Sequence, residues 1–390
     1  MRYQRSNKRL IKQVNLRSIL RYLWHHDLAS RAEMARSLQL NPATMTNLTR
    51  ELKDEGWLIE TGDGDSSGGR PPVLLKLNRE MIQMIGVDVG IKSMKFSLVN
   101  GSGILLKSWR IDKADIQTGD DLLMHIKEGI LNLQVNMETV LGIGIGMHGL
   151  VDRNKGVIQY APAFKVEAYP LREKLEDEWA CMVVLDNDVR AMAMAERWFG
   201  LAQNVSDFFL INLGDGVGGA LAMEGRIQSG GSQMAGEIGH ITVPDHDQVR
   251  CNCGKTGCLE TEISSEALAR KYREKTGNKC ENGKAVYDYA CLGDLEAKAI
   301  FAEMGVRLGQ AMGLVVQILN PELIILAGGV SGAWDAFQTS FLSELESHSV
   351  ARTYQKTRVK VTRLGGEAGV LGAATLVIEE WMDSQKGENE

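Results

Sequence analysis

The apolar residues near the start of the chain, Leu10, Val14, Ile19, Leu20, Leu23 and Trp24, fall at helical spacings and predict one long helix over 7–26. Ser30 and Glu33 then form a capping-box pair, which starts a second helix running to about Leu38. Asn41 followed by Pro42 opens a third, with Asn as cap and Pro in the first turn, and Gly56 closes it. Two short helices joined by about three residues have helix-turn-helix spacing. Trp57, Leu58 and Ile59 begin a strand, a Gly-rich polar loop follows, and VLLKLN makes a second strand. A hairpin in that place is a wing. The alternative for the helix pair is a small helical interaction domain.

From Met84 the pattern changes. MIGVDVG reads as a buried strand running into a Gly turn, followed by the strands SMKFSLVN and GILLKSWRI, a helix at about 119–135, and the strand VLGIGIG. MVVLDND ends another strand and VRAMAMAERWFG is helical. The second half repeats the plan. FFLINLGDGVGGALAMEG gives two strands around a Gly turn, three helical stretches lie between about 264 and 319, ELIILAGGVSG is a strand, and EAGVLGAATLVIEEW is a closing helix. The turns at Asp88–Gly90, Gly214–Gly219 and Gly328–Gly332 could offer backbone N–H groups to a phosphate. The fold class expected is therefore α/β: an N-terminal winged helix-turn-helix over 1–78, then two actin-like (ribonuclease H-like) α/β lobes over 79–195 and 196–390. The closing helix has the option of packing on the first lobe.

Charge sharpens the division. Residues 1–78 carry a net +5, and the other 312 carry -11. A basic head on an acidic body fits a head that meets nucleic acid. The second helix of the pair offers Thr44, Thr46, Asn47 and Arg50 for phosphates and base edges, and Arg31 opens the helix before it. Arg70 at the loop tip has a narrow A·T-rich minor groove as its natural target, against the plain reading of a solvated loop charge. A composition of 44% hydrophobic and 24% charged residues excludes a disordered chain. The start has no signal-peptide pattern, and no uninterrupted apolar run approaches a membrane span of roughly 20 residues. A cytoplasmic protein with no membrane partner is expected.

Three of the six cysteines crowd into CNCGKTGC. His240, Cys251, Cys253 and Cys258 make a Cys3His set suited to a tetrahedral structural Zn²⁺, and thiolates favour zinc over magnesium or calcium. His246 is a rival for the fourth position. Cys181, Cys280 and Cys291 show no partner spacing and default to small buried apolar residues.

Taken together, GVDVG, GIGIGMHGLVD, LDND, NLGDGVGG, GEIGH, CNCGKTGCLE and LAGGVSG resemble the ROK family of repressors and sugar kinases over essentially the whole chain. The head is similar to that of the xylose-repressor branch, and also to those of the glucose and N-acetylglucosamine repressors. The resemblance implies a sugar cleft between the lobes, with Asn187, Asp188, Glu237, His240 and Glu260 as sugar contacts. For Glu237 and Glu260 alone, the plain reading is solvated surface charge. His240 would bind zinc through one ring nitrogen and a sugar hydroxyl through the other.

In the family's kinases the Asp at the Asp188 position is a general base, so a hexose kinase is the rival function. Two phosphate loops argue against it. The kinase pattern Asp-x-Gly-Gly-Thr reads DVGIK here, with Ile91 and Lys92, and Gly-Thr-Gly becomes Gly-Asp-Gly at Asp215. A carboxylate there repels a phosphate by about 1–4 kcal/mol at about 4 Å, depending on the local dielectric. His148 also replaces the usual Pro of its motif. The expectation is a non-enzymatic repressor that binds operator DNA as a homodimer or higher homo-oligomer, with a monosaccharide of the xylose, glucose or N-acetylglucosamine class as effector.

Overall fold

The computed structural model describes residues 2–63, 72–112, 115–244, 248–350 and 356–383. Arg70 and His246 lie outside the described residues.

The head begins with α1 (Arg2–His26), five residues longer at its start than the apolar pattern indicates. After it come β1 (Ala29–Ser30), α2 (Arg31–Ser37), α3 (Pro42–Asp54), β2 (Leu58–Asp63) and β3 (Val73–Leu77). Ser30 and Glu33 form a complete capping box, and Asn41 caps α3 through Ala43 N. The strands pair in the order β1-β3-β2, so the two-residue β1, too short to show in the sequence pattern, completes the winged sheet.

The body follows. The first lobe holds β4 (Gln83–Val89), β5 (Ser93–Asn100), β6 (Leu105–Asp112), α4 (Gly119–Asn132) and β7 (Gly142–Met147). It continues with the small sheet β8 (Leu150–Asp152), β9 (Val157–Ala161) and β10 (Val166–Tyr169), then α5 (Leu171–Trp179), β11 (Met182–Asn187) and α6 (Asp188–Phe199). The second lobe holds β12 (Phe208–Leu213), β13 (Val217–Met223), β14 (Arg226–Ile227), α7 (Glu260–Ile263), α8 (Ser265–Thr276), α9 (Gly283–Cys291), α10 (Leu295–Leu319), β15 (Leu323–Ala327), α11 (Trp334–Ser347) and β16 (Arg358–Val361). The last helix is α12 (Ala368–Asp383).

The two large sheets share one topology. Their orders are β11-β7-β4-β5-β6 and β14-β13-β12-β15-β16. In each, three antiparallel strands are extended by two parallel ones on the side of the first strand. Gly218 and Gly219 pair within β13, so the second-lobe turn is confined to Gly214–Gly216.

Alternation along β7 explains GIGIG. Ile143 and Ile145 enter the core, while the glycines face α12. A methyl group on Gly144 would sit 1.7 Å from the Ala373 carbonyl oxygen, and one on Gly86 2.1 Å from that of Val370. α12 therefore returns to lie backbone-to-sheet on the first lobe, and Gly372 lets it touch α6 equally closely. α6 presents its other face, through Val189 and Ala193, to the second lobe's Phe208, Leu210 and Ala220. α10 has the length and apolarity of a membrane-crossing helix, but Phe301, Met304, Leu308 and Met312 are buried in the second lobe's core. Cys280 is buried and Cys181 half-buried, but Cys291 is exposed near the end of α9, because its side chain falls on the outer face of that helix.

The head shares a core with the body. Ile19, Leu23, Met34, Met45, Leu52 and Leu75 form one apolar cluster with Met84, Ala195, Leu371 and Val377. Trp24 packs edge-on against Trp198 at 5.0 Å, and Trp57 stacks on Trp381 at 6.3 Å. Arg79 lies 4.9 Å over the Trp24 ring and donates to Asp27. Such aromatic pairs contribute about 0.5–1.5 kcal/mol each beyond area burial.

Candidate functional site

The cleft is built where α6 begins. Asn187 caps the helix, its Oδ1 accepting from Val189 N and Arg190 N at 3.0 and 3.2 Å. Its amide Nδ2 donates to Asp188 Oδ1 at 2.9 Å. Asp188 is buried, accepts from Val189 N, and places Oδ2 3.4 Å from His148 Nδ1 at the end of β7. Burial works against a charged His148, but Asp188, Glu260 and Glu237 outweigh it and raise the imidazole pKa. Asp88, at the end of β4, has its pKa pushed up to about 6 by burial and then by the charge of Asp188, against the opposing pull of Lys95 and His148. A carboxylic acid raised in this way favours the fold while protonated, so its contribution is lost as pH rises through about 6.

The second lobe supplies the facing wall. Glu260, at the start of α7, accepts from Val217 N at 3.0 Å. A methyl group on Gly216 would lie 2.9 Å from Glu260 Oε2 and 3.7 Å from His148 Cε1, so the β12–β13 turn, Glu260 and the first lobe's His148 meet. Glu237 Oε2 lies 3.8 Å from His240 Nε2, and burial raises its pKa. The five residues expected to contact sugar lie near one another, Asn187 and Asp188 on the first lobe and Glu237, His240 and Glu260 on the second.

His240 joins this wall to the cysteine loop. Its Nδ1 lies 3.5 Å from Cys251 Sγ, and Cys253 Sγ lies 3.5 Å from Cys258 Sγ. The four donor atoms are all within 4.8 Å of one another, the one such metal-holding group among the described residues. A tetrahedron with bonds of about 2.0–2.3 Å has edges of about 3.3–3.8 Å. Three soft sulfurs and an imidazole in that geometry can hold a metal ion. Cys251 Sγ is also 3.7 Å from Glu260 Oε1, so cluster and cleft are adjacent.

Two groups with no spacing signal in the sequence support the site. Asp186 and Arg190 are both buried and paired, Nε to Oδ1 at 2.7 Å, and Arg153 adds a second contact to Asp186 at 3.2 Å. Arg190 also donates to the Gln233 carbonyl of the other lobe at 2.8 Å. Only the alternation of β11 into α6, which turns Asp186 beneath the helix, could have pointed to them.

In the head, Thr46, Asn47 and Arg50 are exposed on α3 and Thr44 is half-buried. Thr46 donates its hydroxyl hydrogen to the Pro42 carbonyl, which leaves its oxygen as an acceptor. Arg31 is engaged within the head, donating to Thr49 Oγ1 at 3.0 Å and Glu60 Oε1 at 3.1 Å. Lys53 shares Glu60, so these charges fasten the wing to α3.

A family model described as ROK family matches residues 84–380. The chain belongs to the ROK family. A putative xylose repressor of Caldicellulosiruptor sp. (strain Rt8B.4) is 31% identical, with 96% of this chain and 98% of the relative covered. A solved ROK family transcriptional regulator, a homologue of the E. coli MLC protein, superposes with a TM-score of 0.82 at 28% identity, covering 96% of this chain and 97% of the other. A ROK family glucokinase from Streptomyces griseus, solved with glucose and AMPPNP, has a TM-score of 0.67 at 27% identity and covers 76% of this chain and 99% of its own. The winged head thus accompanies the ROK body in the full-length relatives, and lies outside the residues matched by the family model.

Proposed function

We propose that this chain is a transcriptional repressor that holds operator DNA through its winged head and releases it when a monosaccharide enters the cleft. Thr44, Thr46, Asn47 and Arg50, with Arg70 of the wing, meet the DNA. Asn187, Asp188, Glu237, His240 and Glu260 read the sugar hydroxyls, through paired hydrogen bonds that penalise an analogue lacking one. A structural Zn²⁺ on His240, Cys251, Cys253 and Cys258 fixes the sugar-reading wall; with four protein ligands it has no open position for a reacting water. The repressor works as a homodimer on a palindromic operator in the cytoplasm, and the repressor relative points to a sugar of the xylose class.

One observation carries this reading. α6 begins in the cleft with Asp188 and, near its other end, packs Trp198 against Trp24 of the head. A single helix therefore runs from the proposed ligand site to the head, which supports coupling between the two. Ligand binding moves the equilibrium only as far as the sugar prefers the released state, typically about 1–3 kcal/mol of coupling, or 5–150-fold.

The test is a panel of xylose, glucose, N-acetylglucosamine and their phosphates, read by thermal unfolding and operator affinity. One neutral sugar is expected to stabilise the protein by about 2.7 kcal/mol at 100 times its dissociation constant and to weaken operator binding. Stabilisation by none would rule out the sensor, and ATP-dependent turnover of any hexose would establish the kinase instead. Trp198→Ala is expected to keep sugar affinity within about threefold while reducing the sugar's effect on operator affinity at least fivefold, toward the lower bound of such couplings. Full release by sugar in that variant would refute the helix as the route.

A further inference from the structure

The repeat between the lobes pairs two turns. The β4–β5 turn of the first lobe corresponds to the β12–β13 turn of the second, since each joins the central strand of its sheet to the adjacent antiparallel one. One carries Lys92 and the other Asp215, and they meet: Lys92 Nζ lies 2.5 Å from Asp215 Oδ1. Among the described residues, this is the one ion pair that joins the two turns. The Arg190 contact to Gln233 also joins the lobes, but it reaches a neutral carbonyl oxygen.

We propose that Lys92 and Asp215 form an ionic latch between the lobes, one that closes the cleft without a bound polyanion and bars a polyphosphate from the space between the turns. Both turns present backbone next to glycines, Gly90 on one side and Gly214 and Gly216 on the other. Such backbone can approach a phosphate closely. Here the ammonium and the carboxylate neutralise each other across that space. A polyphosphate entering it would have to separate the pair and then face the Asp215 carboxylate. A neutral sugar held by Asp188, Glu237 and Glu260 carries no charge for the Asp215 carboxylate to repel. The side chains are 59% and 34% exposed, so the latch is weak and salt-sensitive: it biases closure by a few-fold and does not lock it.

The experiment needs no sugar, so its result is independent of the sensor reading. Hydrogen exchange of the peptides spanning 90–93 and 214–217 is followed in the full-length, metal-loaded protein at 50 and 500 mM NaCl. Lys92→Ala and Asp215→Ala are each expected to speed exchange about 1.5- to 5-fold at low salt, the range of exposed ion pairs. The double variant should do no more than either single one, and the exchanged pair Lys92→Asp/Asp215→Lys should recover protection. High salt should bring the unaltered protein to the level of the single variants. Additive single effects without salt dependence would overturn the latch. In a second arm, inorganic triphosphate is titrated into the unaltered protein and Asp215→Thr, with at least a tenfold gain expected in the variant. Equal affinity in the two would overturn the exclusion of polyphosphates.

Discussion

Cys253→Ser is expected to strip the metal and the sugar response together, while operator binding without sugar stays within about threefold. The cysteine loop is a short, Gly-turned segment with little core of its own, and Cys253 is its exposed ligand. Without a metal, burial pushes the Cys251 thiol up to about 12, so the loop closes on protonated sulfur beside Glu260. A metal ion removes those protons and fixes His240, whose other nitrogen faces Glu237. Structural zinc sites contribute apparent binding energies of about 10–16 kcal/mol at neutral pH, far more than this loop's contacts supply. Loss of ordering around a liganding residue typically lowers function about 10–100-fold, and sugar affinity should fall by that amount. Because protons compete for the thiolates, metal retention should weaken as pH falls. Metal content and sugar-dependent operator release are measured on the same preparation. Normal release from metal-free Cys253→Ser would show that the cluster does not organise the cleft.

Asp186→Ala should destabilise the protein by about 3–5 kcal/mol, read as a shift of the urea or thermal unfolding transition. Arg190 is 4% exposed and cannot reach water when its partner is removed. Arg153 loses the same carboxylate, and Asn187 N loses its acceptor at 2.7 Å. Breaking a buried pair on one side leaves an uncompensated charge, and that dominates the cost. Removing both charges with Asp186→Leu/Arg190→Leu should recover much of it, since apolar replacement of a whole buried pair is often neutral. A loss below about 1 kcal/mol for Asp186→Ala would mean that water reaches Arg190. Arg190 also ties α6 to Gln233, so this site supports the alignment of the lobes as well as stability.

The head and metal cluster were largely legible in the sequence because their signals are local. Ser30, Glu33, Asn41 and Pro42 fix helix starts within a few residues, and the cysteine spacing specifies a coordination set. The duplicated lobes were legible because strand and Gly-turn order repeats along the chain. The glycines of GIGIG carried a different meaning: their alternation marks a surface for α12, which approaches from more than 200 residues away in sequence, and no local pattern encodes that partner. The Asp186–Arg190–Arg153 group, the Trp24–Trp198 contact and the Lys92–Asp215 pair were invisible for the same reason. Arg31 shows the reverse case: its place at the start of a basic helix suggests DNA, but Glu60 on the wing comes within reach only once the hairpin folds back.

The shared core of head and body bears on how such regulators can be recombined. A cassette that plugs into a scaffold needs a polar seam, and here the seam is apolar. Cutting after residue 78 would uncover Trp198, Leu371, Val377 and Trp381 on the body, and Leu23 and Trp24 on the head. Neither fragment would be a ready-made soluble part. A chimera that keeps this body under a foreign head must import the matching indole surface along with the new recognition helix, so at this joint the unit of exchange is a fitted pair of faces.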